Sequence, residues 1–122
     1  MLNLIHKKLE VYKISLQLVK EIYTLISRFP ADEKYILSSQ IKRAAISVCS
    51  NIAEGSARIS DAEKKRFYEI ARSSLVEVET QIEIALVLNY LSQNDTENIN
   101  LYMESVFKML SKLISNLTNK TS

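Results

Sequence analysis

Glycine, proline, cysteine and histidine each occur once in these 122 residues, and tryptophan is absent. So few turn formers exclude an all-β fold, whose many short strands need Gly- and Pro-rich connections. The single Cys49 has no intrachain partner, so there is no disulfide framework and a reducing cytoplasm is the expected setting. Cys49 lies in an apolar helical stretch with no base paired to it, which marks a structural thiol rather than a nucleophile. The single His6 cannot supply the Glu-x-x-His pairs of a ferritin-like metal bundle. One cysteine and one histidine also leave no zinc cluster, and no Gly-rich loop is present to cradle phosphate. The chain is therefore expected to be no enzyme and to hold no cofactor or metal. Long apolar runs are missing too, since every charge-free run falls short of the ~18 residues that span a bilayer. Met1 to Lys8 places its apolar residues before the lysines, the reverse of a signal peptide, so a soluble, unexported protein without membrane contact is expected.

What remains is helix-forming and apolar. At 14.0 kDa and 47% hydrophobic residues the chain fits one domain, residues 1–122, and is too apolar for disorder. The net charge of +2 hides an uneven distribution. Residues 1–33 carry five Lys/Arg against four acids, and residues 34–72 carry eight against four. Residues 73–107 hold six acids and no Lys or Arg, whereas 108–122 hold three lysines and no acid. Two readings follow: an electropositive face for an anionic partner, or basic and acidic segments that neutralise each other within or between subunits.

Four amphipathic segments emerge from apolar residues at alternating spacings of three and four. The first, about 8–29, carries two adjacent stripes: Leu9, Tyr12, Leu16, Val19, Tyr23 and Ile26, and beside it Val11, Leu18, Ile22, Leu25 and Phe29. Such a helix touches more than one neighbour. Pro30 stops it, and Asp32 is placed to cap the second helix, about 33–54, with its face Leu37, Ile41, Ala44, Ala45, Val48 and Ile52. Gly55 reads as the left-handed residue just past that helix end. Ser60-Asp61-Ala62-Glu63 has the capping-box pattern, opening a third helix over 61–91 with the stripe Tyr68, Ala71, Leu75, Val78, Ile82 and Ala85. Ala71, Ser73, Ser74 and Ala85 are small enough to let a neighbour approach closely. A second cap at Asn94 to Glu97 opens the fourth helix, 95–117, with Ile99, Met103, Val106, Leu110, Leu113 and Leu117; the tail Thr118 to Ser122 is expected to fray. Short connections make consecutive helices antiparallel, giving an all-α, up-down-up-down four-helix bundle. The double stripe exceeds what one bundle interior absorbs, so a homo-oligomer is expected to cover the remainder.

Among charged groups, Glu77, Glu79 and Glu83 lack a matching acidic motif opposite and read as a solvated face rather than a cation site. Tyr12, Tyr23 and Tyr68 fall on apolar stripes and read as core or interface. The candidate nucleic-acid contacts are Lys42 and Arg43 on the second helix, Arg58 after it, and Lys65, Arg66 and Arg72 on the third, with Lys64 beside them. The competing reading has Glu69 tie Lys65 and Arg72 into intrahelical pairs worth only ~0.2–0.5 kcal/mol each. Gly55 would bring Lys42 and Arg43 before it, and Arg58 and Arg66 after it, to one basic end. Asn51 and Glu54 would hold that corner by hydrogen bonds.

The segments Leu9-Glu10-Val11-Tyr12-Lys13, Phe29-Pro30 with Glu33, Gln40 to Ser47, Ser50 to Gly55 with Arg58, and Ala71 to Gln81 together resemble the bacterial four-helix bundle family that includes proteins encoded by intervening sequences in large-subunit ribosomal RNA genes. The likeness covers about residues 9–92, and it extends more distantly to accessory proteins of diversity-generating retroelements. It implies a ring-like homopentamer with a basic surface for RNA or DNA. In the retroelement relatives the ring partners a reverse transcriptase and its template RNA. Matched positions that could contact phosphate are Lys42, Arg43, Arg58, Arg66 and Arg72. The leading expectation is thus a non-catalytic nucleic-acid-binding oligomer, and the alternative is a protein-interaction scaffold whose charges serve subunit assembly.

Overall fold

A computed structural model describes residues 1–121, and among these there are four long helices and no strand. They are α1 (Glu10–Ile26), α2 (Leu37–Ala57), α3 (Asp61–Val87) and α4 (Glu97–Thr121). Each packs on its sequence neighbours and α1 closes against α4, so the four form a square antiparallel bundle. The α2–α3 seam is the most extensive, as expected where Ala44, Ala45, Ala71 and Ala85 are all buried and let two backbones approach. Two side-chain bonds fix its register: Ser47 Oγ lies 2.9 Å from Ser74 Oγ, and Gln81 Nε2 donates to Gln40 Oε1 at 3.5 Å.

Of the two stripes on α1, the core takes Val11, Leu18, Ile22 and Leu25, with Phe29 just beyond the helix end. Leu18 and Ile22 are fully enclosed, each contributing about 1.5–3 kcal/mol of burial. The other stripe is divided: Ile26 is buried, Leu9, Tyr12 and Val19 are half-buried against the core, and Leu16 and Tyr23 are exposed. Ile41, Val48 and Ile52 from α2, Val78 from α3, and Ile99, Val106 and Leu110 from α4 complete the interior.

Helix ends follow the expected chemistry only in part. Ser60 caps α3, its Oγ accepting from the Glu63 amide at 3.1 Å. Asp32, in contrast, caps nothing: Ala31–Glu33 form a single 3-10 turn, and α2 begins at Leu37 after Ile36, whose φ of −113° and ψ of −96° break helical geometry. Glu33 in that turn is held instead by the Tyr90 hydroxyl, which donates to Oε2 at 2.6 Å. The fourth helix likewise starts at Glu97 after a 3-10 turn at Asn94–Thr96, with Asp95 Oδ2 accepting from the Ser92 amide at 2.9 Å. It is assigned as helix through Thr118 to Thr121, and Ser122 lies outside the described residues.

Gly55 departs most from its expected role. It sits inside α2, with no positive φ, and the helix runs two residues further. The pressure for glycine is steric: an added Cβ would lie 2.8 Å from Tyr68 Cε1 and 3.1 Å from Phe67 Cβ. The left-handed residue is Asn89, at φ 60°, which ends α3 earlier than the apolar pattern implies. The Tyr90 amide donates back to Ala85 and the Asn89 amide to Leu86, the paired bonds of a Schellman motif. His6 is buried in a short 3-10 turn (Ile5–Lys8) packed on α2, its ring edge-on to Tyr12 at 4.6 Å.

Candidate nucleic-acid interface

The α2–α3 corner is built by three residues that leave helix and re-enter it. Arg58 is extended at the end of α2, Ile59 is 98% exposed, and Ser60 opens α3. Arg58 is positioned twice: Nη2 donates to Glu54 Oε2 at 3.0 Å, and the guanidinium lies 4.6 Å from the Phe67 ring centroid. Arg66 approaches the same ring at 5.9 Å. One half-buried aromatic ring therefore holds two exposed guanidinium groups together at a helix corner. The Lys64 ammonium donates to the Ser56 carbonyl at 3.1 Å, satisfying one of the last acceptors of α2.

Glu54 lies at the corner and pairs with Arg58, four residues on. Asn51 does not reach the corner; its Nδ2 donates to the Ser47 carbonyl at 2.8 Å, one turn back along α2. Lys65 is half-buried on α3 beside Arg66. Glu69 makes no ion pair with Lys65 or Arg72, because the three pairs among the described residues are Arg28–Asp95, Glu54–Arg58 and Glu104–Lys108.

The remaining sequence candidates stand elsewhere, and the idea of one basic end joining them fails. Lys42 precedes Arg58 by 16 residues, about 24 Å along the helix and nearly half a turn around it. Its ammonium lies over the Tyr23 ring of α1 at 5.0 Å. Arg43 is exposed at the same height as Lys42, also far from the corner. Arg72 is turned toward α4, donating to Ser111 Oγ at 3.1 Å and lying 5.8 Å from the Phe107 ring. Because Gly55 is helical, it does not fold α2 back, and Lys42 and Arg43 stay with the far end of the bundle.

Other cations do reach the corner's end of the molecule. The turn holding Lys7 and Lys8 packs on α2 beside Ala53 and Ala57, and Lys112 lines a hollow with Leu9 and Glu10 at the start of α1. With Arg58, Lys65 and Arg66 they form a basic end, against Glu10, Glu54, Asp61 and Glu63. The opposite end carries Asp32, Glu33, Asp95 and Glu97 together with Arg28 and Lys34, and Lys42 and Arg43 lie toward it. Sequence reasoning missed Lys7, Lys8 and Lys112 because they are distant along the chain; antiparallel packing alone makes them neighbours. The cations named at the corner thus outnumber its acids by six to four, a modest local excess.

The acids Glu79 and Glu83 are exposed, while Glu77 accepts from Gln81 Nε2 at 3.4 Å on another side of α3. Among the described residues no group of three His, Cys, Asp or Glu side chains is placed to hold a metal ion. No described helix is long and apolar enough to cross a membrane.

The fold defines a small helical-bundle protein with exposed arginines at the α2–α3 corner. The family model of the 23S rRNA-intervening sequence protein matches residues 7–112, and the chain belongs to that family. It is similar to a crystal structure described as a protein of unknown function from the S23 ribosomal protein family of Bacteroides thetaiotaomicron VPI-5482, with a TM-score of 0.78 and 27% identity over 85% of this chain and 97% of that one. No curated protein matches.

Proposed function

We propose that this protein is a non-catalytic, homo-oligomeric nucleic-acid-binding protein, with RNA the favoured ligand, that contacts phosphates through its basic end. The observation that carries the reading is the pair Arg58 and Arg66, both close to the Phe67 ring at 4.6 and 5.9 Å from its centroid, at an exposed corner. Guanidinium groups fixed in this way lose little side-chain freedom on meeting a phosphate, and each offers several donors. The family's name, which refers to 23S rRNA, supports RNA as the ligand. Lys42, Arg43 and Arg72 fall outside this surface, and Lys42 and Arg72 are engaged with Tyr23 and Ser111.

Fluorescence anisotropy with a structured RNA, over a salt series, tests the reading. Three to four phosphate contacts give a slope of log affinity against log salt of about −2 to −4, and an Arg58→Glu, Arg66→Glu variant reduces that slope by about 2. An Arg43→Glu variant leaves it unchanged. Absence of binding at low salt overturns the proposal.

A further inference from the structure

The four helices do not end together at the Arg58 corner. The Arg72–Ser111 bond sets the height of α3 against α4, and because the two run antiparallel, Lys64 on α3 lies level with Asn119 on α4. The first turn of α1 borders Lys112, Leu113 and Asn116 and starts only at Glu10, while the preceding turn Ile5–Lys8 packs on α2. The last turns of α4 and the first turns of α3 therefore run on past the start of α1. Between them opens a hollow of about 670 Å³ lined by Lys64, Tyr68, Leu113, Asn116, Leu117 and Asn119. Sites for small molecules span about 300–1,000 Å³.

The lining offers two kinds of surface. Leu113, Leu117 and Tyr68, the last 5% exposed, form an apolar floor. Tyr68 is fixed there by the 2.9 Å bond between its hydroxyl and Ser56 Oγ. Asn116 and Asn119 add carboxamides, each with two donor hydrogens and an acceptor oxygen. Among the described residues of the lining the one charge is the Lys64 ammonium, held 3.1 Å from the Ser56 carbonyl, and none is an acid. A nucleobase has the matching chemistry: a flat face that stacks on apolar side chains, and an edge carrying both donors and acceptors. A phosphate alone has no use for the apolar floor, and a cationic ligand would meet Lys64.

The hollow also stands within a strand's reach of the corner. Arg66 follows Lys64 by two residues, about 200° around α3, so it faces away from the hollow with Lys65 between. A helix is about 10–12 Å across, a distance covered by about three nucleotides at ~3.4 Å each. A base inside a duplex cannot enter, because its edge is held by its partner and its faces by the stack. An unpaired base can swing out and do so.

We infer that the hollow between the first turns of α3 and the last turns of α4 takes an unpaired base of the RNA whose phosphates meet Arg58 and Arg66, which makes the ligand class single-stranded or looped RNA. Leu113, Leu117 and Tyr68 cover the base's face, and the Asn116 and Asn119 amides bond to its edge. This rests on the nucleic-acid reading of the corner and adds a site that uses none of the corner's arginines.

Fluorescence anisotropy with a labelled single-stranded RNA, and with the same strand annealed to its complement, tests the inference. The single strand is expected to bind about tenfold more tightly than the duplex or better. Asn116 is exposed, and Asn116→Leu, with folding checked by circular dichroism, is expected to lower single-strand affinity about tenfold. It leaves the duplex affinity and the salt slope as they were, since no phosphate contact is lost. The Arg58→Glu, Arg66→Glu variant instead weakens both RNAs and flattens the slope. Binding of neither RNA overturns the nucleic-acid reading and this site with it. Equal affinity for the two RNAs, or a single-strand affinity that Asn116→Leu does not change, leaves the corner's role standing and overturns the base site.

Discussion

Gly55 of α2 faces the ring of Tyr68 on α3 so closely that a Cβ would lie 2.8 Å from Cε1. The same tyrosine's hydroxyl shares a 2.9 Å hydrogen bond with Ser56 Oγ, so the ring cannot swing away without breaking it. In an open helix, Gly→Ala gains up to about 1 kcal/mol. Here overpacking costs about 1–3 kcal/mol, and the contact falls on the body of the ring rather than a flexible tip. Gly55→Ala is therefore expected to lower stability by about 1 kcal/mol in urea unfolding. Adding Tyr68→Leu should remove the penalty specific to alanine. A Gly55→Ala protein more stable than the wild type would show that the seam yields.

Asn89 is the residue that uses the left-handed conformation, and its side chain is not the reason α3 ends; its backbone is. Glycine takes φ 60° without strain, whereas a β-branched residue there costs about 1–2 kcal/mol. Asn89→Gly is expected to be neutral or slightly stabilising, and Asn89→Val destabilising by that amount, with thermal unfolding as the measure. Equal stability of the two variants would contradict the Schellman assignment.

The contrast between these two residues shows what a sequence of this kind reveals. Helix spacing identified four segments and their order, because apolar periodicity is a local property of each segment. The Ser60 cap was legible for the same reason, since donor and acceptor are three residues apart. Gly55 was not, because the group that excludes a side chain there is 13 residues away on another helix. The choice between the two stripes of α1 was equally hidden: both have helical spacing, and only packing decides that Leu18 is enclosed and Leu16 exposed. For the candidate site, Arg58 and Arg66 were legible as a pair flanking a corner. A left-handed Gly55 would join Lys42 and Arg43 to that corner, but its helical backbone keeps them apart, and no local pattern links Lys7, Lys8 and Lys112 to it.

Cys49 donates its thiol to Ser15 Oγ at 3.2 Å inside the α1–α2 seam. Burial pushes the thiol's pKa above its ordinary value, and the Ser15 bond offsets this only in part. The neutral thiol is a poor nucleophile. An aromatic disulfide reagent should therefore react with native protein only at the rate at which the seam opens, and rapidly in denaturant. The sign for stability follows: the folded state holds this proton more tightly, so its contribution is intact below the unfolded thiol pKa and falls as the pH rises through the folded one. Fast native-state labelling at neutral pH would place the thiol in solvent.

Asp95 ties the far end of the bundle, accepting from the Ser92 amide at 2.9 Å and pairing with Arg28 across 67 residues at 2.7 Å. The Ser92 amide, more than the arginine, holds its carboxyl below the usual range. A depressed carboxylate pKa means that the unfolded chain takes up the proton first as the pH falls. The stabilisation is thus complete above the unfolded pKa of about 4 and disappears as acid carries the pH through the folded value. In Asp95→Asn the turn keeps an acceptor but loses this titration. Its urea midpoint should fall below that of wild type near neutral pH, with the gap closing at about pH 2–3. A gap that stays constant across that range would show that Asp95 acts through its shape and not its charge.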